Sequence, residues 1–338
     1  MVKKIIKTAE DTRVTVLAGG PSRERPVSQV SGKAVADALK TAGFKVTLAD
    51  ILPDDLAALD IPGDVIFPVL HGQFGEDGRL QEILEERGLT YCGSGPQACR
   101  LAMNKHHSKL KMLELGIPTP KFDIVEKIED IRKAKCCWSI PVVVKPVEEG
   151  SSLGITIVQR AEDLEKVIGQ TLEQFGVVMI EEFIDGRELT VGIFADNALP
   201  ILEIRSNRQF YDYQAKYNDP KTEYTFIKDL PKELYIEVQE LSVRAAKGLG
   251  LRDFCRVDWR LDANDRPFFL EVNAIPGFTD HSLLPKAAAM AGYDMVNFCK
   301  TIVEMALQRK SFGFRVSGFG SNPQPETRNS KPETIFQV

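Results

Sequence analysis

Residues 255–274 read CRVDWRLDANDRPFFLEVNA, in which two strand-like runs flank a short polar segment. The polar segment has the composition of a turn, so the sequence predicts an antiparallel hairpin centred on Asn264 and Asp265. In that register Asp258 lies opposite Glu271. Because side chains alternate between the two faces of a strand, both carboxylates then point to the same face of the hairpin.

The predicted hairpin has an apolar face and a polar face. The apolar face carries Val257, Trp259, Leu261, Phe268, Leu270 and Val272. The polar face carries Arg256, Asp258, Arg260, Glu271 and Asn273, and also Phe269 as an apolar exception. Directly opposed carboxylates repel each other, and Mg2+ removes that repulsion because it prefers oxygen ligands. The alternative is a solvated face on which the two arginines neutralise the acids, and a register shifted by one residue would remove the site.

A second segment, VVVKPVEEGSSLGI at residues 142–155, combines a lysine with a loop of glycine and serine. In a Walker A loop the lysine would follow the glycines and the loop would open a helix. Here Lys145 precedes Gly150, and the GITIV that ends the loop is typical of a strand. The segment therefore predicts a loop between two strands, whose N–H groups and hydroxyls can bind phosphates. Magnesium held by carboxylates commonly acts on nucleotide phosphates, so the two segments together predict a nucleotide site.

The composition excludes several classes of protein. The chain has 338 residues, 43% of them hydrophobic and 27% charged, with a net charge of −5. This acidic balance provides no basic field for nucleic acid or anionic lipid. We expect no membrane span and no signal peptide, because apolar runs are short and the N-terminus lacks an apolar core. The six cysteines lack zinc-site spacing and suit a reducing compartment, so we expect a cytoplasmic protein.

The order of strands and helices predicts an α/β (α+β overall) protein of three lobes. Residues 1–96 begin with a β-α-β unit and predict an open parallel sheet. Residues 97–184 contain the glycine–serine loop, and residues 185–311 contain the hairpin. Residues 312–338 are polar and rich in Gly, Pro and Ser, which predicts a disordered tail. The GSGPQA at 93–98 matches a dinucleotide fingerprint but lacks its strand context.

Seven segments, in order along the chain, resemble the ATP-grasp superfamily and, within it, the D-alanine–D-alanine ligase family. They are LAGGPSRERPVS, LHGQFGEDGRLQ, MNKHHSK, VVVKPVEEGSSLGI, FYDYQAKY, CRVDWRLD and FLEVNAIPGFTDHSLLP. The resemblance implies an ATP-grasp fold in which two lobes clamp ATP. It also implies that ATP phosphorylates the carboxylate of one D-alanine and that the amine of a second attacks the acyl phosphate. The product would be D-alanyl-D-alanine for peptidoglycan precursors.

The resemblance implies ligands for ATP and metal. For ATP it implies Lys105 and Lys145 at the α- and β-phosphates, Lys216 at the transferred phosphoryl group, Ser152 in the loop, Glu181, Phe183 and Ile184 at adenine, and Glu188 at the ribose. For Mg2+ or Mn2+, with two ions expected, it implies Asp258, Glu271 and Asn273. Positioning and neutralisation of charge would then supply most of the catalysis, as in other phosphoryl transfers.

The resemblance also implies residues around the two amino acids. They are Glu24 at the first ammonium, Ser151 and Tyr217 in a network with Glu24, His71 near the substrate, Arg256 and the N–H of Gly277 as an oxyanion hole, and Ser282 and the backbone of Leu283 at the second carboxylate. From the residues alone, Glu24 could merely compensate a helix dipole, and a single histidine at a strand end is more often structural. FYDYQAKY resembles a mobile loop that closes over the site, although its tyrosines also fit a half-buried strand.

The identity of the acceptor stays open at this point. Tyr217, where a phenylalanine would favour a hydroxy acid, implies an amine acceptor, but D-lactate and D-serine are not excluded. The chain departs from the common family pattern at Ala274 and Phe278 near the acceptor, at Glu182 near adenine and at Pro26. A different ATP-grasp ligase and a nucleotide-binding protein without catalysis also stay open. The resemblance implies a homodimer formed through the first lobe.

Overall fold

The computed structural model describes residues 8–131, 138–205, 223–279 and 281–311. The described strands form one parallel and two antiparallel sheets. This confirms the predicted architecture, in which an N-terminal parallel sheet precedes two further lobes. The predicted mobile loop with Lys216 and Tyr217, and the segment 312–338, lie outside the described residues. Within the described part of the chain, no helix has both the length and the apolar character needed to cross a membrane.

The first sheet contains three parallel strands in the order β2–β1–β3. These strands are β1 (Arg13–Gly19), β2 (Lys45–Ile51) and β3 (Val65–Pro68), accompanied by helices α1 (Arg25–Thr41) and α2 (Arg79–Glu86). The central strand β1 reads as an apolar run because both of its faces are covered, and only its first residue is exposed. The segments after β1 and β3 leave the same edge of the sheet, where open α/β sheets bind ligands.

The second sheet is antiparallel and has the order β4–β7–β5–β6. It contains β4 (Phe122–Val125), β5 (Val142–Pro146), β6 (Thr156–Val158) and β7 (Val178–Glu182), and it is covered by α5 (Ala161–Phe175). Leu164 and Ile168 of α5 pack with the valines of β5 in a separate core. The glycine–serine loop connects β5 to β6, which confirms the predicted strand–loop–strand unit.

The third sheet is antiparallel and has the order β11–β10–β8–β12–β13, with β9 paired to β8. Its strands are β8 (Arg187–Phe194), β9 (Asn197–Ala198), β10 (Leu202–Arg205), β11 (Glu223–Phe226), β12 (Phe254–Leu261) and β13 (Pro267–Asn273). The helices of this part are α6 (Lys232–Gly248), α7 (Leu283–Met290) and α8 (Met295–Ser311). Helix α6 packs on one face through Val238 and Ala245, and Trp259 donates a hydrogen bond of 2.9 Å to Ser242 on that helix.

A break at Asn104 separates α3 (Pro96–Met103) from α4 (Lys105–Glu114), where the sequence predicts one helical stretch. Asn104 has extended backbone angles, and its side chain accepts a hydrogen bond of 2.9 Å from the backbone N–H three residues later. It therefore caps the amino end of α4. As a result Lys105 begins α4, and its N–H donates to the carbonyl of Val147 in the glycine–serine loop at 3.0 Å.

Strand β12 is central in its sheet and pairs with both β8 and β13. Asp258 lies opposite Glu271, and Arg256 lies opposite Asn273. Both pairs have the predicted register, so the opposed carboxylates of the hairpin are confirmed. Because β12 has neighbours on both sides, its backbone cannot shift along β13 without also breaking its pairing with β8.

A β-bulge follows these pairs and corrects the predicted faces of the hairpin. Trp259 pairs with Phe269, so Leu270 is an extra residue on β13. An extra residue inverts the alternation of the side chains beyond it. The prediction that Phe268 and Leu270 share the apolar face with Trp259 is therefore wrong, because both are partly exposed whereas Trp259 is buried. Phe269 is wholly buried instead, with its ring centroid 5.9 Å from that of Trp259.

Four buried aromatic side chains join the first sheet to the third. Phe67 lies on β3, Phe254 on β12 and Phe298 on α8, while Phe278 lies in the segment after β13. The ring centroid of Phe278 is 5.4 Å from that of Phe67, 5.0 Å from that of Phe254 and 5.8 Å from that of Phe298. The first sheet and the elements around the third sheet therefore share one hydrophobic core.

Replacing Phe298 with alanine should lower the free energy of unfolding by about 3–5 kcal/mol, because a wholly buried ring is removed from the shared core. Urea unfolding followed by circular dichroism measures this change. The control is Met290→Ala at an exposed position of α7, which should change the free energy by about 0.5 kcal/mol or less. Equal losses in the two variants would contradict a shared core.

Candidate active site

Two cavities lie where the three sheets meet, and Glu271 lines both of them. The main cavity, of about 400 Å3, is bounded by residues after β1 and β3, by the glycine–serine loop and by residues of β12, β13 and the segment that follows β13. The side cavity, of about 60 Å3, lies between the second and third sheets. The shared wall makes them two parts of one cleft.

Every predicted site residue within the described ranges lines one of these cavities. The main cavity is lined by Glu24, His71, Lys105, Ser151, Arg256, Glu271, Asn273, Gly277, Ser282 and Leu283. The side cavity is lined by Lys145, Ser152, Glu181, Phe183, Ile184, Glu188, Asp258 and Glu271. Residues that are far apart in the sequence are thus brought together, whereas Lys216 and Tyr217 lie outside the described residues.

The side cavity reaches a buried carboxylate, Glu181 on β7, whose two oxygens pair with different lysines. Lys145 on β5 lies 2.6 Å from Oε2, and Lys109 on α4 forms an ion pair with Oε1. Burial alone would raise the pKa of Glu181, but the two ammonium groups outweigh burial and lower it. Two positive charges and one negative charge leave a net positive wall, which suits an anionic ligand.

The opposed carboxylates of the hairpin are each held by other side chains. Asp258 is buried and accepts a hydrogen bond of 2.6 Å from the hydroxyl of Thr190. Arg256 donates to both oxygens of Asp258 at 2.9 and 2.8 Å. Glu271 lies 3.6 Å from the ammonium of Lys105. The polar face of the hairpin is therefore organised around fixed carboxylate positions.

The donor chemistry of this face fits a divalent cation. Asp258, Glu271 and Asn273 offer oxygen ligands from adjoining strands, which suits Mg2+ or Mn2+. Among the described residues, no group of three His, Cys, Asp or Glu is placed to hold a metal ion by itself. An ion here would complete its coordination with water or phosphate oxygens, as Mg2+ commonly does. The alternative, in which Arg256 and Arg260 neutralise the acids of the hairpin, holds only in part. Arg256 pairs with Asp258, but Arg260 pairs with Glu188 on β8.

The glycine–serine loop contacts the first lobe through Glu24. The hydroxyl of Ser151 donates a short hydrogen bond to Glu24. A Cβ atom at Gly150 would lie only 3.1 Å from the Glu24 carboxylate, so the glycine permits this close approach. Ser151 and Ser152 both have left-handed backbone angles, with φ of 49° and 58°. The loop is therefore bent toward the main cavity at the cost of local strain.

His71 presents an unused hydrogen-bond acceptor at the main cavity. Its Nδ1 lies 2.9 Å from the carbonyl oxygen of Ile275, and because a carbonyl cannot donate, Nδ1 carries the proton. Burial lowers the pKa of His71 and favours the neutral ring, in which Nε2 is an acceptor. Nε2 is buried and has no hydrogen-bond partner among the described residues. A ligand that donates a hydrogen bond would satisfy it.

Glu76, like His71, binds the backbone of Ile275. Its Oε2 accepts from the N–H of Gly72 at 2.7 Å, and its Oε1 accepts from the N–H of Ile275 at 3.1 Å. Burial, assisted by the charge of Glu24, raises the pKa of Glu76 to about 8. Glu76 and His71 therefore fasten the segment after β3 to the segment after β13, which forms the floor of the main cavity.

A tight turn precedes α7 at the far wall of the main cavity. Gly277 leaves no room for a side chain, since a Cβ atom there would lie 2.6 Å from the Ser282 hydroxyl oxygen. That oxygen accepts a hydrogen bond of 3.1 Å from the N–H of Thr279. Ser282 stands just before the first turn of α7, where backbone N–H groups lack helical partners. The wall therefore offers N–H donors to an anion.

Comparison with known proteins identifies the family. Profiles described as "D-ala D-ala ligase N-terminus" and "D-ala D-ala ligase C-terminus" match residues 52–94 and 112–304. The chain belongs to the D-alanine–D-alanine ligase family. It is 42% identical over 299 residues to the D-alanine–D-alanine ligase of Bordetella petrii, covering 87% of this chain and 92% of the relative. The resemblance read from the seven sequence segments is confirmed.

Two further relatives of the D-alanine–D-alanine ligase family extend the comparison. The enzyme of Aquifex aeolicus is 41% identical over 295 residues, which cover 86% of this chain and 99% of the relative. The crystal structure of the Bacillus anthracis enzyme complexed with ATP matches with a TM-score of 0.77 at 32% identity. That match covers 89% of this chain and 100% of the other. The three-lobed fold is therefore common to both.

The four positions that the resemblance predicts to depart from the family pattern have different surroundings. Pro26 and Ala274 line the main cavity, and Glu182 lines the side cavity. The ring of Phe278 is wholly buried in the aromatic core and lines neither cavity. A substitution at Ala274 can therefore touch a ligand directly, whereas one at Phe278 acts through packing.

Sequence reasoning misses three residues that organise the cleft, namely Glu76, Lys109 and Thr190. Glu76 and Lys109 both stand inside segments that carry the family resemblance, but no spacing distinguishes their buried roles. Thr190 lies opposite Asp258 in the pairing of β8 with β12. An alignment of β8 against β12 could have found Thr190, because cross-strand partners are neighbours.

Glu76→Gln should flatten the dependence of stability on pH. Because the pKa of Glu76 is raised to about 8, the folded protein binds more protons than the unfolded chain between the ordinary glutamate pKa and that value. The Glu76 carboxyl therefore makes the free energy of unfolding decrease as the pH rises through that window. The thermal midpoint of E76Q should decrease less steeply with pH than that of the wild type. Glu86→Gln, at an exposed position of α2, is the control. An unchanged slope in E76Q would contradict the raised pKa.

Proposed function

We propose that the protein is an ATP-dependent ligase that joins two D-alanines into D-alanyl-D-alanine for peptidoglycan precursors. The convergence of lysines, opposed carboxylates and N–H donors on one cleft, in a chain of this family, carries the proposal. A carboxylate oxygen of the first D-alanine attacks the γ-phosphorus of ATP, and ADP leaves. The amine of the second D-alanine then attacks the acyl carbon, loses a proton and displaces phosphate.

The base of ATP is proposed to insert at the side cavity. Phe183, Ile184 and Leu270 give that cavity apolar walls for the flat base. The backbone after β7 is the proposed partner of the base edge, and Glu188 is the proposed partner of the ribose. Leu270 reaches the cavity only because the β-bulge turns it away from the core. The bulge thus contributes directly to the shape of the nucleotide site.

The phosphates are proposed to lie along the wall shared by the two cavities. Lys145 and Ser152 line the side cavity, and Lys105 lines the main cavity. Backbone N–H groups of the glycine–serine loop supply further donors. This arrangement neutralises the triphosphate and aligns it with the carboxylate to be phosphorylated, which is the main requirement of phosphoryl transfer.

Mg2+ or Mn2+, with two ions expected, is proposed to be held by Asp258, Glu271 and Asn273. Bound there, it would neutralise charge on the β- and γ-phosphates. The chain's own contribution is to fix the ligands. Thr190 and Arg256 hold the Asp258 carboxylate, and the β12–β13 pairing holds Glu271 opposite it.

The first D-alanine is proposed to bind between the first lobe and the glycine–serine loop. Its ammonium group can donate to the carboxylate of Glu24 and to Nε2 of His71, both of which line the main cavity. His71 suits this role because its Nδ1 proton is already committed to Ile275, so the remaining nitrogen can only accept while the ring is neutral. The loop contact of Ser151 with Glu24 closes this side of the cavity.

The tetrahedral intermediate is proposed to be stabilised by Arg256 and the N–H of Gly277. Both lie in the main cavity, where developing negative charge would be shielded from water. Ser282 and the N–H of Leu283 are proposed to bind the second carboxylate at the start of α7. An anion is favoured there by the helix dipole and by N–H groups that lack helical partners.

Several further features belong to this proposal. Lys216 would contact the transferred phosphoryl group, and Tyr217 would join Glu24 and Ser151 when the loop closes and excludes water. We infer that the lobes divide near residues 96 and 184. We also infer that the protein is a homodimer, as the family resemblance implies. We infer that it acts in the cytoplasm, because the synthesis of peptidoglycan precursors consumes ATP there.

The purified protein with ATP, Mg2+ and D-alanine should release phosphate and form D-alanyl-D-alanine, identified by mass. L-alanine is the control substrate and should give neither product. D-alanine mixed with D-lactate or D-serine tests the acceptor. A mixed product formed in preference to the dipeptide would reassign the acceptor and implicate Ala274. ATP binding without ADP formation from any D-amino acid would leave a nucleotide-binding protein and contradict the ligase proposal.

Asp258→Asn should raise the Mg2+ concentration needed for half-maximal activity by about tenfold or more, because one anionic ligand is lost. Titration of activity with Mg2+ at saturating ATP measures the shift. The matched control is Asp265→Asn in the turn of the same hairpin, where φ is 59° and asparagine is well tolerated. The metal assignment would be wrong if both variants kept the wild-type Mg2+ dependence.

A further inference from the structure

Lys109 is a buried cation that lines neither cavity. Its ammonium group has three partners, which match its three N–H donors. It forms an ion pair with Glu181, donates to the hydroxyl of Thr119 at 2.6 Å and donates to the carbonyl of Phe269 at 3.2 Å. Burial lowers the pKa of Lys109 to about 8, so burying this charge is costly. Such a cost suggests a role beyond packing.

The charge of Lys109 acts on the nucleotide site through Glu181. Glu181 binds Lys109 through one oxygen and Lys145 through the other. Of Lys109, Glu181 and Lys145, Lys145 is the residue that is proposed to bind a phosphate of ATP. Without Lys109, the single negative charge of Glu181 would be directed at Lys145 alone and would cancel it. With Lys109 present, one net positive charge remains for the ligand at short range.

The structural links made by Lys109 are partly duplicated. The hydroxyl of Thr119 donates to the carbonyl of Phe269 at 2.9 Å, so that connection does not need the lysine. The N–H of Phe269 is also bound, to the carbonyl of Pro118 at 2.8 Å. The ion pair with Oε1 of Glu181 has no such duplicate among the described residues, because the other lysine on Glu181 is Lys145 itself, at Oε2. Lys109 therefore supplies the positive charge that balances Glu181 without using the charge of Lys145.

We propose that Lys109 is a positioning residue for the phosphate-binding lysine: it neutralises Glu181, so that Lys145 keeps its position and its charge for ATP. Lys109 itself touches no substrate. The inference rests on the proposed function in that ATP is the ligand of the side cavity. It adds a second lysine of the MNKHHSK segment to the nucleotide site, acting from behind the cavity wall.

Lys109→Met tests this inference, because methionine keeps most of the volume and removes the charge. Isothermal titration with ATP in the absence of D-alanine should show a Kd raised about tenfold. The KM for D-alanine should change by about twofold or less, because D-alanine binds in the main cavity. Lys111→Met is the matched control on the same helix, since Lys111 is partly exposed and pairs with Glu114 on the surface.

Lys109→Arg separates the charge of the residue from the packing of its side chain. Arginine keeps a positive charge beside Glu181, so the Kd for ATP should stay within about threefold of wild type. Lys109→Gln serves if K109M alone fails to fold, because glutamine can still donate a hydrogen bond to Glu181 without neutralising it, and the Kd for ATP should again rise about tenfold. A loss of ATP affinity in folded K109R as large as that in the uncharged variant would overturn the inference.

Three further outcomes are equally decisive. Unchanged ATP affinity in folded K109M would overturn the inference and leave the ligase proposal intact. Equal increases in the KM values for ATP and D-alanine would assign Lys109 a purely structural role and overturn it as well. Absence of ATP binding by the wild-type protein would overturn both the inference and the proposed function, so the two failures are distinguishable.

Discussion

The pairing of β12 with β8 on one side and β13 on the other is the constraint on which the cleft depends. It fixes Asp258 opposite Glu271 and beside Thr190, so the carboxylates face the cleft. The opposite face of β12 is buried in the core, where Trp259 packs. A strand held on both edges and on one face has a single register, and the positions of the polar groups follow from it.

The sequence predicts those features of the fold that follow from periodicity and turn composition. Apolar runs identify the parallel strands, and the polar turn at Asn264 and Asp265 predicts the register of the hairpin at Asp258. These signals cannot locate the bulge, because an extra residue at Leu270 is visible only once both strands are paired. The break between α3 and α4 at Asn104 is likewise not predictable from the sequence. A capping asparagine inside an apolar helical pattern resembles any other polar position.

The residues of the cleft are predictable to the extent that a motif carries them. Lysines, glycines and opposed acids stand in segments whose chemistry can be read from spacing or resemblance. Glu76 and Lys109 differ, since their importance comes from partners far along the chain, at Ile275 and Glu181. Burial of a charged group becomes visible only when the lobes are assembled. The residues that hold the cleft residues in place are therefore identified by tertiary contacts and not by a local sequence pattern.

The aromatic core shared by the first and third sheets also constrains how the chain can be made. Phe67 of β3 packs in the same cluster as Phe298 of α8, more than two hundred residues later. On the ribosome, the first sheet therefore lacks part of its core until nearly the whole described chain has emerged. The second sheet has a core of its own and can form before α8 is synthesised. The first sheet is therefore synthesised first but completes its core only when α8 is present.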